Sequence, residues 1–420
     1  MALSPTSKKI LYTVLLLLVT IAIGYLLYIV FIYTPSSNNQ NTNGNRNITL
    51  PNINELLNTN GLVNTGGNTN ANSNANGNQN TNQGGTPQAN GGATQTTVLT
   101  PNTVTANPTA STDGSVRYYD PNDGKFYRVD KNGNITALSD VHFNGVSNVV
   151  WGNSSNQVIM EFPDGSNVYY NIDTKRQVTL PKEFEEMDFS PSDNQIAFLY
   201  MHQDTERRVL AVSSPDGSGA RTLESLGQNA DHVMVDWSPT GKVAASYFEF
   251  IDANRQTLGF VGLNNENFKG TVVEGRGLRS QYTPNGKQLL YSTYSAETDY
   301  KPGLWVVDAD GDNIGKNRKE IQLNTFADKC TISNNSTTAY CGVPIDQKNG
   351  YGLDDRLLEG VPDELYAVDL NTGARTRIAV PVDSNGDPVY SMQNLVVTSD
   401  ESTLYFRDVT TGKIVKISLK

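Results

Sequence analysis

Short apolar segments separated by tight-turn signals constrain the fold of this chain more than any other feature, and residues 281–318 show them best. There QYTPNGKQLLYSTYS is followed by LWVVDADGDNIGKNR. Pro284 presets the backbone angle of a turn, and Gly286 tolerates the positive φ that closes it. The consecutive apolar residues 304–307 are typical of a strand buried on both faces. The stretch predicts a four-stranded antiparallel sheet. Its first strand ends at Tyr282, its second and third cover residues 288–293 and 304–307, and its fourth follows the turn at 308–311.

The same pattern returns at a regular spacing. Its clearest openers are DFSP at 188–191, DWSP at 236–239 and YTP at 282–284, whose prolines are 48 and 45 residues apart. A period of this length indicates a repeat architecture with one four-stranded sheet per repeat. More divergent copies cover residues 116–138, 149–172, 331–373 and 395–419. Radial stacking of such sheets buries both faces of each, so the sequence predicts an all-β fold, a β-propeller over residues 113–420.

The two ends of this region are alike, with YDPNDGK at 119–125 and RDVTTGK at 407–413. The N-terminal copy lacks a first strand, and the C-terminal copy supplies strands one to three. The propeller has seven four-stranded blades if the two copies are separate and six if they merge into one blade. We favour seven. In both cases the ends meet, and closure removes the exposed sheet edges.

The openers FSPSDNQIAFLY, WSPTGKVAASYF and YTPNGKQLLYS, with LWVVDADGDN and LYAVDLNTGA after them, resemble the TolB-like, WD-repeat-like propeller repeats of bacterial envelope proteins. The resemblance covers residues 115–420 and is strongest in the three central repeats. It implies a propeller in the cell envelope and no particular activity, because such propellers serve many tasks. TolB carries an α/β domain ahead of its propeller, where this chain has an apolar span and a low-complexity stem, so the partners of the Tol system are not carried over.

Residues 10–34 are apolar and uncharged. A helix of that length covers roughly 37 Å, enough to span a hydrocarbon core of about 30 Å. A cleaved signal peptide is the alternative, but its apolar region is shorter and a small-residue cleavage site is missing. Lys8 and Lys9 precede the span, and Arg46 is the next basic residue after it. The positive-inside rule therefore predicts a single-pass cell-membrane protein with residues 1–9 in the cytoplasm and the propeller outside.

Residues 35–112 are rich in Asn, Gly and Thr and poor in aromatic and charged residues. Such a composition does not bury enough apolar surface to offset the entropy cost of ordering the chain. We therefore predict a disordered linker that tethers the propeller to the membrane.

The excess of acidic residues argues against a nucleic-acid partner. Without the four charged residues that precede residue 113, the chain carries 29 basic and 42 acidic residues. Nucleic-acid binding needs a basic field, so we expect no nucleic-acid partner. No Walker, dinucleotide-binding or G-x-S-x-G motif is present, and we expect no cofactor and no catalytic residue of those classes.

The two cysteines bracket CTISNNSTTAYC at 330–341. If residues 334–336 form a hairpin turn, Cys330 and Cys341 lie opposite each other on adjacent strands. Because the anchor places the propeller in an oxidising compartment, a structural disulfide is expected, with two free, buried thiols as the alternative because a disulfide demands a specific geometry.

Asp308, Asp310 and Asp312 are candidate metal ligands, because three carboxylates at alternate positions could supply oxygen atoms to a metal ion. In an EF-hand loop Gly stands sixth and Glu twelfth, whereas here Gly311 is fourth and Lys319 twelfth. An ordinary turn is the favoured interpretation, because the same place in other repeats carries PDG or NTG.

The longest insertion, residues 345–364, separates two strands of one predicted blade. Long loops in compact domains tend to be functional, and this one is richer in apolar and aromatic residues than the linker. We predict a partner-binding loop, with the alternative that it packs back on its own propeller. The candidate residues are Tyr351, Leu353, Arg356, Leu357 and Leu358.

Three functions remain open from the sequence. The first is a membrane-tethered, non-enzymatic scaffold that binds an envelope protein or polymer. The second is an enzyme that acts on a carbohydrate or peptide with acidic residues in the central funnel of the propeller, and the third is a structural stalk-and-head protein. The first is favoured, since the motifs of an enzyme are missing and the tether suits a scaffold.

Overall fold

Turns of the Ser/Thr-Pro-x-Gly type set the spacing of the strands in the computed structural model, which describes residues 84–104, 107–111, 113–154 and 156–420. In one such turn the Gly286 N–H donates to the Thr283 carbonyl over 2.7 Å, and Gly286 has φ 68°. A Cβ on Gly286 would lie 2.6 Å from the Thr240 side chain. The turn of one repeat is thus packed against the turn of the repeat before it, and only glycine fits both the backbone angle and the gap.

Twenty of the described strands form five four-stranded antiparallel sheets, each in chain order. They are β2 (Thr109–Ala110), β3 (Val116–Asp120), β4 (Lys125–Val129) and β5 (Ile135–Ala137); β6 (Asn148–Trp151), β7 (Gln157–Glu161), β8 (Asn167–Asn171) and β9 (Arg176–Leu180); β10 (Phe184–Phe189), β11 (Ile196–Tyr200), β12 (Val209–Ser213) and β13 (Arg221–Ser225); β14 (Val233–Val235), β15 (Val243–Asp252), β16 (Arg255–Gly262) and β17 (Thr271–Glu274); β18 (Arg276–Tyr282), β19 (Gln288–Tyr294), β20 (Gly303–Asp308) and β21 (Lys319–Asn324).

The remaining strands form one eight-stranded sheet, in the order β22-β23-β24-β25-β1-β28-β27-β26. They are β1 (Ala93–Val98), β22 (Cys330–Ile332), β23 (Thr338–Pro344), β24 (Asp363–Asp369), β25 (Arg375–Val382), β26 (Met392–Val397), β27 (Thr403–Asp408) and β28 (Ile414–Ser418). Six short 3₁₀ helices occur in the connections, at Thr205–Arg207, Gly227–His232, Ala296–Thr298, Gly311–Asn313, Ala327–Lys329 and Asp355–Leu358.

The repeat unit inferred from residues 281–318 is confirmed as the sheet β18–β21, and the all-β propeller fold is confirmed with it. Five buried residues in succession, Leu289 to Thr293, occupy the interior of β19. Apolar side chains of that sheet pack against both neighbouring sheets, with Tyr291 and Val307 on one side and Leu290 and Val306 on the other. A consecutive apolar run is what a strand buried on both faces requires.

The prediction of six or seven four-stranded blades is wrong, because the structure has five four-stranded sheets and one sheet of eight strands. The reason is β1, which pairs parallel with β25 (Ala93 opposite Val380) and antiparallel with β28 (Thr96 opposite Ile417). Through these two pairings β1 joins β22–β25 and β26–β28 into a single sheet. The two terminal strands of that sheet, β22 and β26, lie against each other.

Two further corrections concern the start of the described region. β1 and β2 lie within residues 35–112, so the prediction of a disordered linker over that whole range is wrong for these strands. Ala93–Val98 reads ATQTTV, and its β-branched Thr and Val residues favour a strand once two partner strands are available. The prediction that the N-terminal copy lacks a first strand is also wrong, because the two-residue strand β2 pairs with β3.

The predicted cytoplasmic tail at 1–9, the predicted transmembrane helix at 10–34 and the first part of the linker lie outside the described residues. Within residues 84–104, 107–111, 113–154 and 156–420, no helix has the length and apolar character needed to cross a membrane.

Candidate functional site

A central cavity of about 630 Å³ lies where the first strands of the five four-stranded sheets approach β26. Its lining includes Thr109 from β2, Val150 from β6 and Val396 from β26. A second cavity of about 400 Å³ adjoins it, and Asn107 and Asn394 line both. The two cavities therefore adjoin at the propeller centre, and the second lies beside the segment between β23 and β24.

Asp188 and Asp236, which belong to adjacent sheets, place two carboxyl groups on the lining of the central cavity. They hold equivalent places in their repeats, two residues before Ser190 and Ser238. Successive side chains of a strand point to opposite faces. The neighbouring Phe189 and Trp237 are accordingly buried between sheets, while the two carboxyl groups face the cavity.

The two carboxyl groups have different environments. The Trp237 N–H donates to Asp188 Oδ2 over 2.9 Å. Burial raises the pKa of Asp188 to about 6, and the backbone N–H donors of Trp237 and Phe189 limit the rise. Burial, and then the nearby charge of Asp188, raise the pKa of Asp236 to about 8. Both side chains keep some accessible surface, but protein atoms surround most of each carboxyl group, so an ionised carboxylate there is poorly solvated.

At neutral pH this pair carries about one proton, which resides mainly on Asp236. Two interacting carboxyl groups of this kind titrate as a unit. Two carboxyl groups with raised pKa values on one cavity could bind a cation or act in proton transfer.

Polar side chains form the rim between the two cavities. Asn394 Nδ2 donates to Asn107 Oδ1 over 2.9 Å, and Asn107 Nδ2 donates to Asn148 Oδ1 over 2.7 Å. This chain of amides links β26 to β6 across the start of β2. Asn107 and Asn394 have φ of 67° and 48°, a left-handed conformation that asparagine tolerates better than most residues. The amide chain therefore holds one side of the rim in a defined shape.

Two cations on the other side of the rim are already paired. Lys329 Nζ lies 2.8 and 2.7 Å from the two Asp363 carboxylate oxygens, and both side chains are buried. Arg279 pairs with Asp328 at 2.9 Å and Asp355 at 3.1 Å, and its guanidinium lies over the Phe326 ring. The positive charges of Lys329 and Arg279 are thus largely neutralised by aspartates of the protein itself.

The insertion predicted to bind a partner is anchored at two points, to the end of β21 and to the connection that follows it. Tyr351 is fully buried, packs edge-on against Phe326 and donates its hydroxyl hydrogen to the Asn324 carbonyl over 2.6 Å. Leu358 completes the same apolar cluster. These two candidate residues are therefore internal anchors.

The other three candidates are exposed. Leu353 is 59% and Leu357 39% exposed, and Arg356 pairs with Asp354 at 2.7 Å. The insertion also pairs with the connection between β19 and β20, where Gly352 N–H donates to the Tyr300 carbonyl over 2.8 Å. Tyr300 is itself 42% exposed. We call Tyr300, Leu353 and Leu357 the apolar loop surface.

The cysteine pair and the three aspartates considered as metal ligands are the other residues predicted from the sequence. Cys330 and Cys341 are opposite one another in the β22–β23 pair and are joined in a disulfide. Asp308 accepts from Asn317 Nδ2 over 2.7 Å, and Asp310 pairs with Lys242 at 3.0 Å. Asp312 is exposed in the short 3₁₀ helix that follows β20. In the part of the chain that the structure describes, no group of three or more His, Cys, Asp or Glu residues could hold a metal ion.

Sequence reasoning used Asp188 and Asp236 only to mark repeat openers and did not name them as site residues. The available signal was the acid itself, since the equivalent position holds Gln281 in the next repeat and Val150 in an earlier one. An ionisable side chain that faces the propeller axis loses water, which costs free energy unless the side chain is paired or hydrogen-bonded.

Comparisons with known proteins agree with the fold. No protein-family model matches the chain, and no curated protein matches it. The β-propeller domain of Cps50 (Swd1) from Myceliophteria thermophila superposes with a TM-score of 0.50 at 10% identity, covering 77% of this chain and 98% of that one. An oligogalacturonate lyase in complex with manganese gives 0.47 at 12% identity, with 77% and 93% covered, and one from Vibrio parahaemolyticus gives 0.46 at 10%, with the same coverage. At this identity the similarity to the Cps50 domain shows the β-propeller fold and nothing of function.

Proposed function

We propose that the protein is a non-enzymatic binding propeller whose apolar loop surface docks a protein partner. The observation that carries this proposal is the double anchoring of the insertion by Tyr351 and Leu358, which leaves Leu353 and Leu357 exposed. Exposed apolar side chains on a loop that is held in place mark an interaction site, because such a surface loses little entropy when it binds.

The charges around this surface suggest the chemistry of the partner. Asp346 and Glu359 are exposed, and neither forms an ion pair with another described residue. The propeller is acidic as a whole. We infer a partner that presents an apolar patch with a basic rim, because complementary charge favours encounter and orientation.

We further infer that the protein works at the outer face of a cell membrane as a TolB-like envelope propeller. The apolar span at 10–34, the basic residues that precede it and the repeat openers support this inference. Treating cells from outside with a protease, and finding the propeller degraded while residues 1–9 stay protected, tests it. Protection of the propeller would contradict it.

Site-specific photocrosslinking in the native envelope tests the docking surface. A photoreactive residue at position 353 should give a defined crosslinked species, and one at Val272, another exposed apolar residue, should not. The double change Leu353→Ser and Leu357→Ser should weaken binding of the identified, purified partner by about tenfold to a hundredfold, a typical loss for two central apolar contacts. The change Val272→Ser should leave it intact.

An equal loss of partner binding in the Leu353→Ser/Leu357→Ser variant and in Val272→Ser, or crosslinks from both position 353 and position 272, would contradict a docking surface at the insertion. If neither position crosslinks to any protein, the stalk-and-head alternative gains support.

One observation favours a second candidate, a hydrolase acting on a carbohydrate or peptide. A carboxyl group that is protonated near neutral pH and a neighbouring ionised one are the acid and base that glycoside hydrolysis needs. Asp236 and Asp188 have these properties in one cavity. The test is turnover of oligosaccharide and peptide mixtures by the purified protein. Activity that is lost in both Asp188→Asn and Asp236→Asn, and retained in Asp312→Asn, would support the enzyme, whereas no turnover at any pH from 5 to 9 would reject it.

A further inference from the structure

The hairpin β15–β16 borders a further cavity that shares no lining residue with the central one. β15 has ten residues and β16 eight, whereas β11 and β12 of the preceding sheet have five each. The pairing of β14 with β15 ends at Val233 and Tyr247, so residues 248–252 of β15 extend past β14. A cavity of about 760 Å³ lies beside this overhang, between the hairpin and the end of β13. We call it the outer cavity.

Tyr247 forms one wall of the outer cavity. Its cross-strand partner on β16 is Gly259, and a Cβ on that glycine would lie 2.2 Å from the tyrosine ring. The ring therefore lies directly against the bare backbone of β16, an approach that requires glycine there. The side chain is half-buried, so part of it packs on the protein and the rest stays accessible. A ring held in this way offers a stacking surface that loses little entropy when a ligand binds.

A second aromatic group borders the same cavity. The ring centre of His232 lies 5.0 Å from that of Phe248 and 5.3 Å from that of Phe250. The Arg276 guanidinium covers one face of Phe250, and the side chain is still 50% exposed. Phe248 and Phe250 point to the face of β15 opposite Tyr247. Because β14 does not cover this part of the edge of β15, both faces of the strand border the cavity.

Free polar side chains complete the lining. Glu224 follows from β13, Asn229 from the 3₁₀ helix after it, Glu249 from β15, and Asn265 and Asn267 from the loop after β16. None of these five side chains forms a hydrogen bond or an ion pair with another residue that the structure describes. The lining thus combines aromatic rings with amide and carboxylate groups whose hydrogen-bonding capacity is available to a ligand.

The lining also selects among classes of ligand. It carries the carboxylates of Glu224, Glu249 and Glu266 and no Lys or Arg, so it repels phosphates and acidic sugars. A purely apolar ligand would leave the polar groups of the lining without partners. A sugar that carries amino groups satisfies all of them, because its C–H face stacks on an aromatic ring, its hydroxyl groups bond to amides, and its ammonium groups pair with carboxylates.

We propose that the outer cavity binds an oligosaccharide that carries amino groups, with Tyr247 as the stacking platform and Glu224 and Glu249 as acceptors for its ammonium and hydroxyl groups. The cavity volume lies in the range of about 300–1,000 Å³ that is typical of ligand pockets. The site shares no residue with the apolar loop surface and does not depend on the docking function proposed there.

Isothermal titration calorimetry on the full-length protein, solubilised in a detergent without a sugar headgroup, tests the proposal. The probes are tetramers of glucosamine, of N-acetylglucosamine and of galacturonic acid. The glucosamine tetramer should bind, the N-acetylated tetramer should bind more weakly because it lacks the positive charges, and the acidic tetramer should not bind. Raising the salt from about 0.05 M to about 0.5 M should reduce the difference between the first two, since salt screens exposed carboxylates.

Four variants locate the binding site. Tyr247→Leu should lower the affinity for the glucosamine tetramer by about threefold to tenfold, the loss expected for one aromatic contact, whereas Tyr247→Phe keeps the ring and should keep the affinity. Glu249→Gln should lower it by up to about fivefold at low salt, the range of an exposed ion pair. Glu320→Gln removes the same charge from an exposed position on β21 and should not change it. Should Tyr247→Leu fail to fold, Phe250→Ser, at an exposed position, takes its place.

Equal weakening in Glu320→Gln, or binding of the galacturonic acid tetramer, would overturn the proposal, because neither result fits a site built for a cationic sugar. Tighter binding of the N-acetylated tetramer would overturn the role of the carboxylates. Tighter binding of tetralysine than of any tetramer would overturn the choice of a sugar in favour of a basic polypeptide. Absence of heat with all three tetramers would reject the site. Changing Leu353 and Leu357 to Ser should leave sugar binding unchanged, so this test and that of the docking surface fail separately.

Discussion

At the residue scale, the chain holds ionisable groups in two contrasting ways. Lys329 and Asp363 are buried together, and Asp363 also accepts from the Met392 N–H over 2.6 Å, so this pair connects β24 to β26. Asp188 and Asp236 instead face a cavity with no basic neighbour in its described lining. A buried pair with opposite charges is a structural contact, whereas a buried pair of like charges stores free energy that a ligand can release.

Asp236→Asn should change the pH dependence of stability. Because the folded-state pKa of Asp236 is raised to about 8, the native chain binds more protons than the unfolded chain between about pH 4 and pH 8, and stability falls as pH rises through that window. The amide variant lacks this loss. Its advantage over the wild type should be small at pH 5, grow through pH 7 and reach about 1–3 kcal/mol at pH 9, a figure reduced from the full shift because the cavity admits water.

Urea unfolding at pH 5, 7 and 9 measures the effect. The control Asp312→Asn should follow the wild-type curve at every pH. An Asp236→Asn variant that is less stable than the wild type at pH 9 would contradict this expectation and show that other groups stabilise the ionised carboxylate in the native state.

At the element scale, the segment between β23 and β24 illustrates how a long loop acquires a defined position. Tyr351 and Leu358 fill an apolar cluster with Phe326, and Gly352 pairs its backbone with Tyr300. The sequence indicated that these residues were unusual for a loop. Which of them point inward follows from the packing of the 3₁₀ helix Asp355–Leu358 against Phe326, and spacing along the chain does not contain that information.

Gly352→Ala should release this loop. A Cβ at residue 352 would lie 2.6 Å from the Tyr300 carbonyl oxygen, a backbone atom that has little freedom to move. We expect trypsin cleavage after Lys348 and Arg356 to become about tenfold faster, since a local opening made easier by about 1.4 kcal/mol has that effect. Gly84→Ala, where the nearest atom is 3.6 Å away, is the control and should be cleaved at the wild-type rate. Unchanged cleavage in Gly352→Ala would mean that the loop is not held by this contact.

At the scale of the whole molecule, one short strand near the N-terminus determines how the two ends of the propeller are joined. β1 lies between β25 and β28 and pairs with both. The Leu99 N–H, just after it, donates to the Ile414 carbonyl over 2.8 Å. Long-range pairing of this kind removes two sheet edges at once, and it forms only after the rest of the chain has brought β25 and β28 together.

Removing residues 1–98 should weaken this junction. The variant leaves β25 and β28 with unpaired edges, so their amides should exchange hydrogen at least about tenfold faster than in a variant that lacks residues 1–83 and keeps β1. Hydrogen exchange measured by mass spectrometry compares the two variants, with β19 as an internal reference that should not change. Equal protection of β25 and β28 in both variants would show that β1 contributes nothing to the junction.

The sequence by itself determined the four-stranded repeat, the propeller fold and the position of the cysteine pair, because each depends on local signals that recur. The turn at 284–286, the apolar run at 304–307 and the spacing of the openers were enough for these. The strand β1 was missed because ATQTTV has weak periodicity and stands in a stretch of Asn, Gly and Thr, and it becomes a strand only through partners about 290–320 residues away in sequence. The acid pair was likewise decided by tertiary structure. Asp188 and Asp236 resemble any polar residue before a turn until radial stacking places both on one cavity, where partial loss of solvation changes their chemistry.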